Sequence, residues 1–250
     1  MKINKKLSAK NMALIVCFTA LYTVFGFIPI SPIIGLPGKT ITAAAIIAPV
    51  IGIILGPYVG ALSIVLGGII PFFAGAFSPP SLVSGGVTAL CSGTLYLQKR
   101  SLCAFTYFSL LFLFGFYPFV GPFWLYPQLM WFQIVGFLLL ISPLQSKAIK
   151  NLNSKSVSKI FQAFFITFLT STLAGQIAGS LVFEVLAWPI FMADLNAWRV
   201  TWQFLTFIYP VERVLIALIG ALIGATLQNI LKPVNLTSLV NPSVGQEKCS

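Results

Sequence analysis

The stretch IFQAFFITFLTSTLAGQIAGSLVFEVLA, residues 160–187, carries one formal charge, Glu184, in 28 residues. At about 1.5 Å of rise per residue, a helix of that length reaches roughly 42 Å. That exceeds the ~30 Å hydrocarbon core of a bilayer, so the run reads as a membrane-crossing helix with room to tilt. The same pattern extends outward along the chain. Further apolar runs fall at residues 12–30, 41–55, 58–77, 81–98, 102–120, 123–144 and 204–231. The run at 41–55 is short for a crossing. Gly56-Pro57, Ser78-Pro79-Pro80 and Gly121-Pro122 interrupt otherwise continuous apolar sequence and predict tight turns between antiparallel helices.

Composition agrees with this reading. Of 250 residues, 58% are hydrophobic and 8% charged, against about a quarter charged in soluble chains. The expected fold is all-α: a polytopic transmembrane helical bundle of six to eight spans, with eight favoured. It forms a single transmembrane domain over residues 1–250, with a basic arm at 1–11 and a tail at 232–250. No room remains for a soluble catalytic or nucleotide-binding domain. The chain has no histidine, which removes imidazole as base, proton relay and metal ligand. Cys17, Cys91, Cys103 and Cys249 have neither zinc-site spacing nor a disulfide pattern. No metal and no cofactor is therefore expected.

The net charge of +11 sits in short clusters between apolar runs, which marks topology rather than nucleic-acid binding. With eight crossings and the amino terminus inside, the inner segments hold Lys2, Lys5, Lys6, Lys10, Lys99, Arg100, Lys147, Lys150, Lys155, Lys159, Lys232 and Lys248. The outer loops keep Lys39 and Arg199. The expected location is the cell membrane, multi-pass, with both termini cytoplasmic. The basic start followed by the long run at 12–30 predicts a retained first helix rather than a cleaved leader.

Three of the four acids, Glu184, Asp194 and Glu212, lie within thirty residues of one another, together with Arg199 and Arg213. Ionisable groups at membrane depth face a cavity or a partner because lipid leaves them unsolvated. Glu212 and Arg213 are neighbours on a helix and point about 100° apart, so each is expected to need a partner elsewhere, with Glu184 the candidate for Arg213. Trp188, Trp198, Trp202 and Tyr209 surround the same charges. Two accounts stand side by side. In one, Pro210 starts the last helix, Glu212 sits in its first turn, Arg213 snorkels to the interface and the tryptophans form an aromatic belt. In the other, Glu184, Trp188, Asp194, Trp198, Arg199, Trp202, Glu212 and Arg213 bind a flat organic solute.

Small residues recur at helical contact spacing: Ala9, Ala13 and Cys17; Gly52, Gly56 and Gly60; Gly175 and Gly179; Ala217, Ala221 and Ala225. Such stripes let helix backbones approach closely. The first of them is the candidate docking face for another membrane subunit. The loop Ser31–Thr40, with Gly35, Pro37, Gly38 and Lys39, is irregular, apolar and outward, which suits a lid.

The basic arm with ALIVCFTALY (13–22), the run APVIGIILGPYVG (48–60) and the closing ERVLIALIGALIG (212–224) resemble the substrate-capture subunit, or S-component, of energy-coupling factor transporters. That resemblance implies a small helical bundle that binds a vitamin-like organic micronutrient on its outer side. It also implies partnership with a membrane coupling protein and two ATP-binding subunits. Gating would fall to Gly35, Pro37, Gly38 and Lys39, and docking to Ala9, Ala13 and Cys17. The chain itself would not be an enzyme. Eight spans depart from the usual six of the family, and the absence of histidine argues against the metal cargo of its cobalt and nickel relatives. Two other classes stay open: a self-sufficient small-solute secondary transporter, and an intramembrane enzyme using its acids on a lipid-soluble substrate.

Overall fold

A computed structural model describes residues 9–33, 38–152, 154, 156–191 and 194–231. Among these the fold is helical apart from one small hairpin. In chain order it comprises α1 (Ala9–Phe25), β1 (Pro29–Pro32), β2 (Thr40–Thr42), α2 (Ala44–Leu55), α3 (Pro57–Phe73), α4 (Pro79–Tyr96), α5 (Arg100–Gly115) and the short α6 (Pro122–Leu125). A 3₁₀ turn (Pro127–Met130) leads into α7 (Trp131–Ile141), α8 (Pro143–Asn151), α9 (Val157–Phe191) and α10 (Leu195–Leu231). By length and composition, α9 and α10 are apolar enough to cross a membrane, and a third crossing arises if the 3₁₀ turn with α7 and α8, bent by 63°, is one span. The chain is thus a helical membrane protein. The other apolar helices are shorter, 10–17 residues among the described set.

The glycine-proline turns fall where the sequence placed two of them. Gly56, at φ 82°, lets the chain reverse between α2 and α3, and Pro79 and Pro80 occupy the first turn of α4. The third, Gly121-Pro122, opens α6, so the run at 123–144 is broken into α6, the 3₁₀ turn and α7 instead of forming one helix. The last helix also differs from expectation. It begins at Leu195 and continues through Pro210, so Pro210 does not start it.

Proline inside a helix leaves the carbonyl four residues earlier without its N–H donor. At Pro210 and Pro71 another side chain supplies one. The Trp131 indole donates to the Thr206 carbonyl at 3.2 Å, four residues before Pro210. The Thr23 hydroxyl donates to the Gly67 carbonyl at 2.8 Å, four residues before Pro71 in α3. In lipid, where no water can substitute, this repair is what permits the helices to continue.

Helix α2 explains how a 12-residue segment fits the bundle: every residue except Ala45 is buried. It packs against α1, α3, α4, α9 and α10 rather than lipid, as a helix that is apolar all round must. Close approach to α4 depends on Gly52, where an added Cβ would lie 2.7 Å from the Ala89 Cα. A second such contact, Gly175 against the Ser84 carbonyl, seats α9 on α4. The stripe of Ala217, Ala221 and Ala225 is likewise buried, in a core shared with α2 and the Phe164 and Phe168 rings. A second core gathers α5, α7 and the remaining lengths of α9 and α10 around Tyr107, Phe114, Trp198 and Trp202. Cys91 and Cys103 are both buried as free thiols in this core.

At one end of the molecule, the Arg100 guanidinium donates to the Ser146 hydroxyl and the Ile141 carbonyl. This ties the start of α5 to the bend between α7 and α8, so the basic segments 99–100 and 147–150 share that end.

Candidate functional site

Between α1, α2, α4, α9 and α10 lies a cavity with about 850 Å³ of atom-free space when its open mouth is counted. Its walls follow from helical spacing. On α9, Thr172, Gln176, Ser180 and Phe183 recur every three or four residues and present one face to it. On α10, Trp202, Leu205, Tyr209 and Arg213 do the same. Helix α4 contributes the hydroxyls of Ser81, Ser84 and Thr88, and Tyr22 and Phe77 close the side toward α1. Gly179 also lines the space. The fourth side is the hairpin of β1 and β2, which supplies Ile41 and Thr42, with Ile33 from its loop.

That hairpin is the first outer loop of the sequence reading, and it is more ordered than an irregular lid. Its strands pair antiparallel, Ser31 opposite Ile41 and Pro32 opposite Thr40. Two polar contacts fasten it. The Ser31 hydroxyl donates to the Glu212 carboxylate on α10, and the Lys39 ammonium donates to the Gly75 carbonyl, just past α3, at 2.6 Å. Of the expected gating residues, Gly38 and Lys39 lie in this hairpin, and Gly35 and Pro37 lie outside the described residues.

The charged cluster is arranged differently from expectation. Arg213 and Glu212, adjacent in sequence, do satisfy each other: Nη2 donates to Oε2 at 3.2 Å, with both side chains buried. Side-chain flexibility overcomes the 100° between their Cβ directions. Glu212 thus holds the hairpin with one oxygen and the cavity-lining arginine with the other. Arg213 also lies over the Tyr209 ring, 5.9 Å from its centroid. Glu184 is not the partner of Arg213. It is 0% exposed, and neither carboxylate oxygen has a hydrogen-bond partner among the described residues. Standing about 100° round α9 from Phe183, it is not among the cavity-lining residues.

The remaining predicted residues divide by position. Trp202 lines the cavity, and its indole donates to the Val120 carbonyl at 3.0 Å, so it offers the ring face. Trp198 is buried against Trp202 and Phe183. Trp188, half-buried, donates to the Pro118 carbonyl. Asp194 is exposed and caps α10, its Oδ1 accepting from the Asn196 and Ala197 amides at 2.9 and 3.1 Å, and Arg199 is exposed nearby. These two do not join the cavity. Along α1, Ala13 and Cys17 are exposed, and Ala9 stands in the first turn.

Sequence reasoning missed Gln176, Tyr22, Phe77 and the α4 hydroxyls. The available signal was Gln176 itself, an amide in the middle of the apolar run at 160–187, between glycines that were taken only for packing. Cavity, hairpin and buried ion pair together define a helical membrane protein with a pocket among its helices that the hairpin borders on one side. No protein-family model, curated protein or solved structure matches the chain.

Proposed function

We propose that the protein is the membrane substrate-capture subunit of an energy-coupling factor importer, taking a vitamin-like organic micronutrient into its cavity from outside the cell. The observation that carries this reading is the cavity bordered by a hairpin that is itself fastened to a cavity helix through Ser31 and Glu212. A pocket bordered in this way suits tight capture of a scarce solute, with release requiring a change of conformation.

In this proposal the chain crosses the plasma membrane eight times with both termini cytoplasmic. The basic segments joined by Arg100 face the cytoplasm, and the hairpin faces out. The chain neither hydrolyses ATP nor makes bonds. A membrane coupling protein docks on the small-residue face of α1, at Ala9, Ala13 and Cys17, of which Ala13 and Cys17 are exposed, and two ATP-binding subunits drive release. The acids give little support to the enzyme alternative, because Asp194 caps a helix, Glu212 is occupied by Arg213 and Ser31, and Glu184 does not line the cavity.

The test is to purify the tagged full chain in a mild detergent from cells coexpressing coupling and ATP-binding subunits, then examine it by native mass spectrometry. The expected result is a stable complex that retains a small organic molecule and supports ATP-dependent uptake in proteoliposomes. A monomer that ignores the subunits overturns the proposal. Uptake by the chain alone, driven by an ion gradient, would instead establish a secondary transporter.

A further inference from the structure

The geometry points to a particular class of solute for this cavity: a planar organic anion whose ring bears an N–H and a C=O side by side, with a carboxylate as its charged group. This rests on the substrate-capture reading and adds the chemistry of the substrate to it.

The argument starts from polar atoms that the fold leaves without partners. Gln176 lines the cavity and is 5% exposed, and both its Oε1 and its Nε2 lack a hydrogen-bond partner among the described residues. Buried polar groups are almost always paired, so a buried amide with neither atom paired, on a residue that lines the cavity, calls for a partner that a solute would supply once the side chain turns to meet it. A primary amide offers one acceptor and two donors in a plane. Its complement is another amide-type edge, with N–H and C=O adjacent, as in a lactam, a ureide or a pyrimidinedione.

The charge follows from Arg213. It is 5% exposed and lines the same cavity, and its Nε has no hydrogen-bond partner among the described residues. It is the one charged side chain among the described residues lining the space. Glu212 occupies Nη2 from behind and has its other oxygen taken by Ser31, so its binding capacity is directed away from a solute. Arg213 therefore keeps a buried N–H without a partner beside the cavity, and guanidinium groups favour carboxylates as partners.

The shape follows from the rings. Phe183, Trp202, Tyr22 and Phe77 all line the space, so its walls are rich in aromatic surface, which suits a flat ring. Aromatic walls alone would equally suit a cation, but a cation would have to sit beside Arg213 with no cavity-lining acid to offset it.

Four small probes separate these features on the purified full chain by titration calorimetry. Orotate carries both the edge and the carboxylate, uracil the edge alone, benzoate the carboxylate alone, and N-methylnicotinamide, as its ring-N-methylated pyridinium cation, an amide with a positive charge. The expected result is orotate bound at least tenfold more tightly than uracil or benzoate, with N-methylnicotinamide weakest. In R213Q orotate falls to the level of uracil, and in Q176L to the level of benzoate. Orotate no better than the single-feature probes, or N-methylnicotinamide equal to it, overturns the inference even if the variants fail to fold, because the ranking is read on the unmodified chain. Failure here with the multisubunit complex still assembling leaves substrate capture standing and refutes only the solute class. The expected ranking without assembly upholds the solute class and refutes the importer.

Discussion

Glu212 shows how one buried side chain can link a hairpin to the pocket it borders. Its two oxygens serve the hairpin and the cavity arginine separately, so each contact holds the carboxylate in place for the other. Removing one member of a buried ion pair leaves the other charge uncompensated, which costs about 3 kcal/mol or more. E212Q should therefore lower stability by roughly that amount, and E212Q/R213Q by clearly less than the sum of the two single losses. Melting of all three variants in one detergent checks this, and strict additivity would mean that the pair is not coupled. S31A removes a hydrogen bond to a charged acceptor, worth about 1.5–3 kcal/mol, from the state with the hairpin fastened alone. Solute dissociation should accelerate by about tenfold or more, and an unchanged off-rate in stopped-flow measurements would separate the hairpin from gating. At this scale the sequence identified Arg213, Glu212 and Trp202 because charge and tryptophan are rare in apolar runs. It mispaired Arg213 with Glu184 because Cβ direction was treated as fixing where a long, flexible side chain ends.

Among the elements, the prolines set the terms on which helices continue. Pro71 frees the Gly67 carbonyl and Thr23 caps it from α1, so a helix irregularity becomes an α1–α3 contact. T23V leaves that carbonyl without the hydroxyl donor and should cost about 1–3 kcal/mol. In T23V/P71A the restored N–H serves Gly67 within α3, so the penalty of T23V should shrink, and a full penalty in the P71A background would contradict the account. Glycines give a paired test. A Cβ on Gly175 would lie 2.5 Å from the backbone oxygen of Ser84, whereas one on Gly86 meets nothing within 4 Å. G175A should lose about 1–3 kcal/mol by forcing α9 off α4, while G86A should be neutral or slightly stabilising through helix propensity. Thermal melting of the two variants decides this. Helix positions were legible because apolar runs and Gly-Pro breaks are local signals. The hairpin, the break of the run at 123–144 and the extension of α10 past Pro210 were not. Each depends on a distant partner, such as Trp131 for Thr206, that no local window contains.

For the molecule as a whole, the small-residue stripes looked alike in sequence and separate only once the bundle is assembled. Ala217, Ala221 and Ala225 are buried in the core, and Gly175 is buried against α4. Ala13 and Cys17 instead remain on an exposed face of α1, beside the bulkier Met12, Val16 and Val24. Lipid packs as well against large side chains as against small ones, so a bundle gains nothing from small residues on a lipid face. A second helix does gain, because contact area and close backbone approach supply the association energy in a membrane. The prediction is that A13W and C17W fold and bind solute as the unmodified chain does, since the face touches neither core nor cavity. If the proposed importer is correct, both should lose its coupling subunit on affinity purification. L222W, placed on the exposed face of α10, should retain it and so separates a docking defect from a general effect of added bulk. If A13W and C17W still carry the coupling subunit through purification, the face meets only lipid and the docking surface lies elsewhere on the bundle. If all three variants lose it, added bulk anywhere on the surface disturbs assembly, and α1 has no special claim.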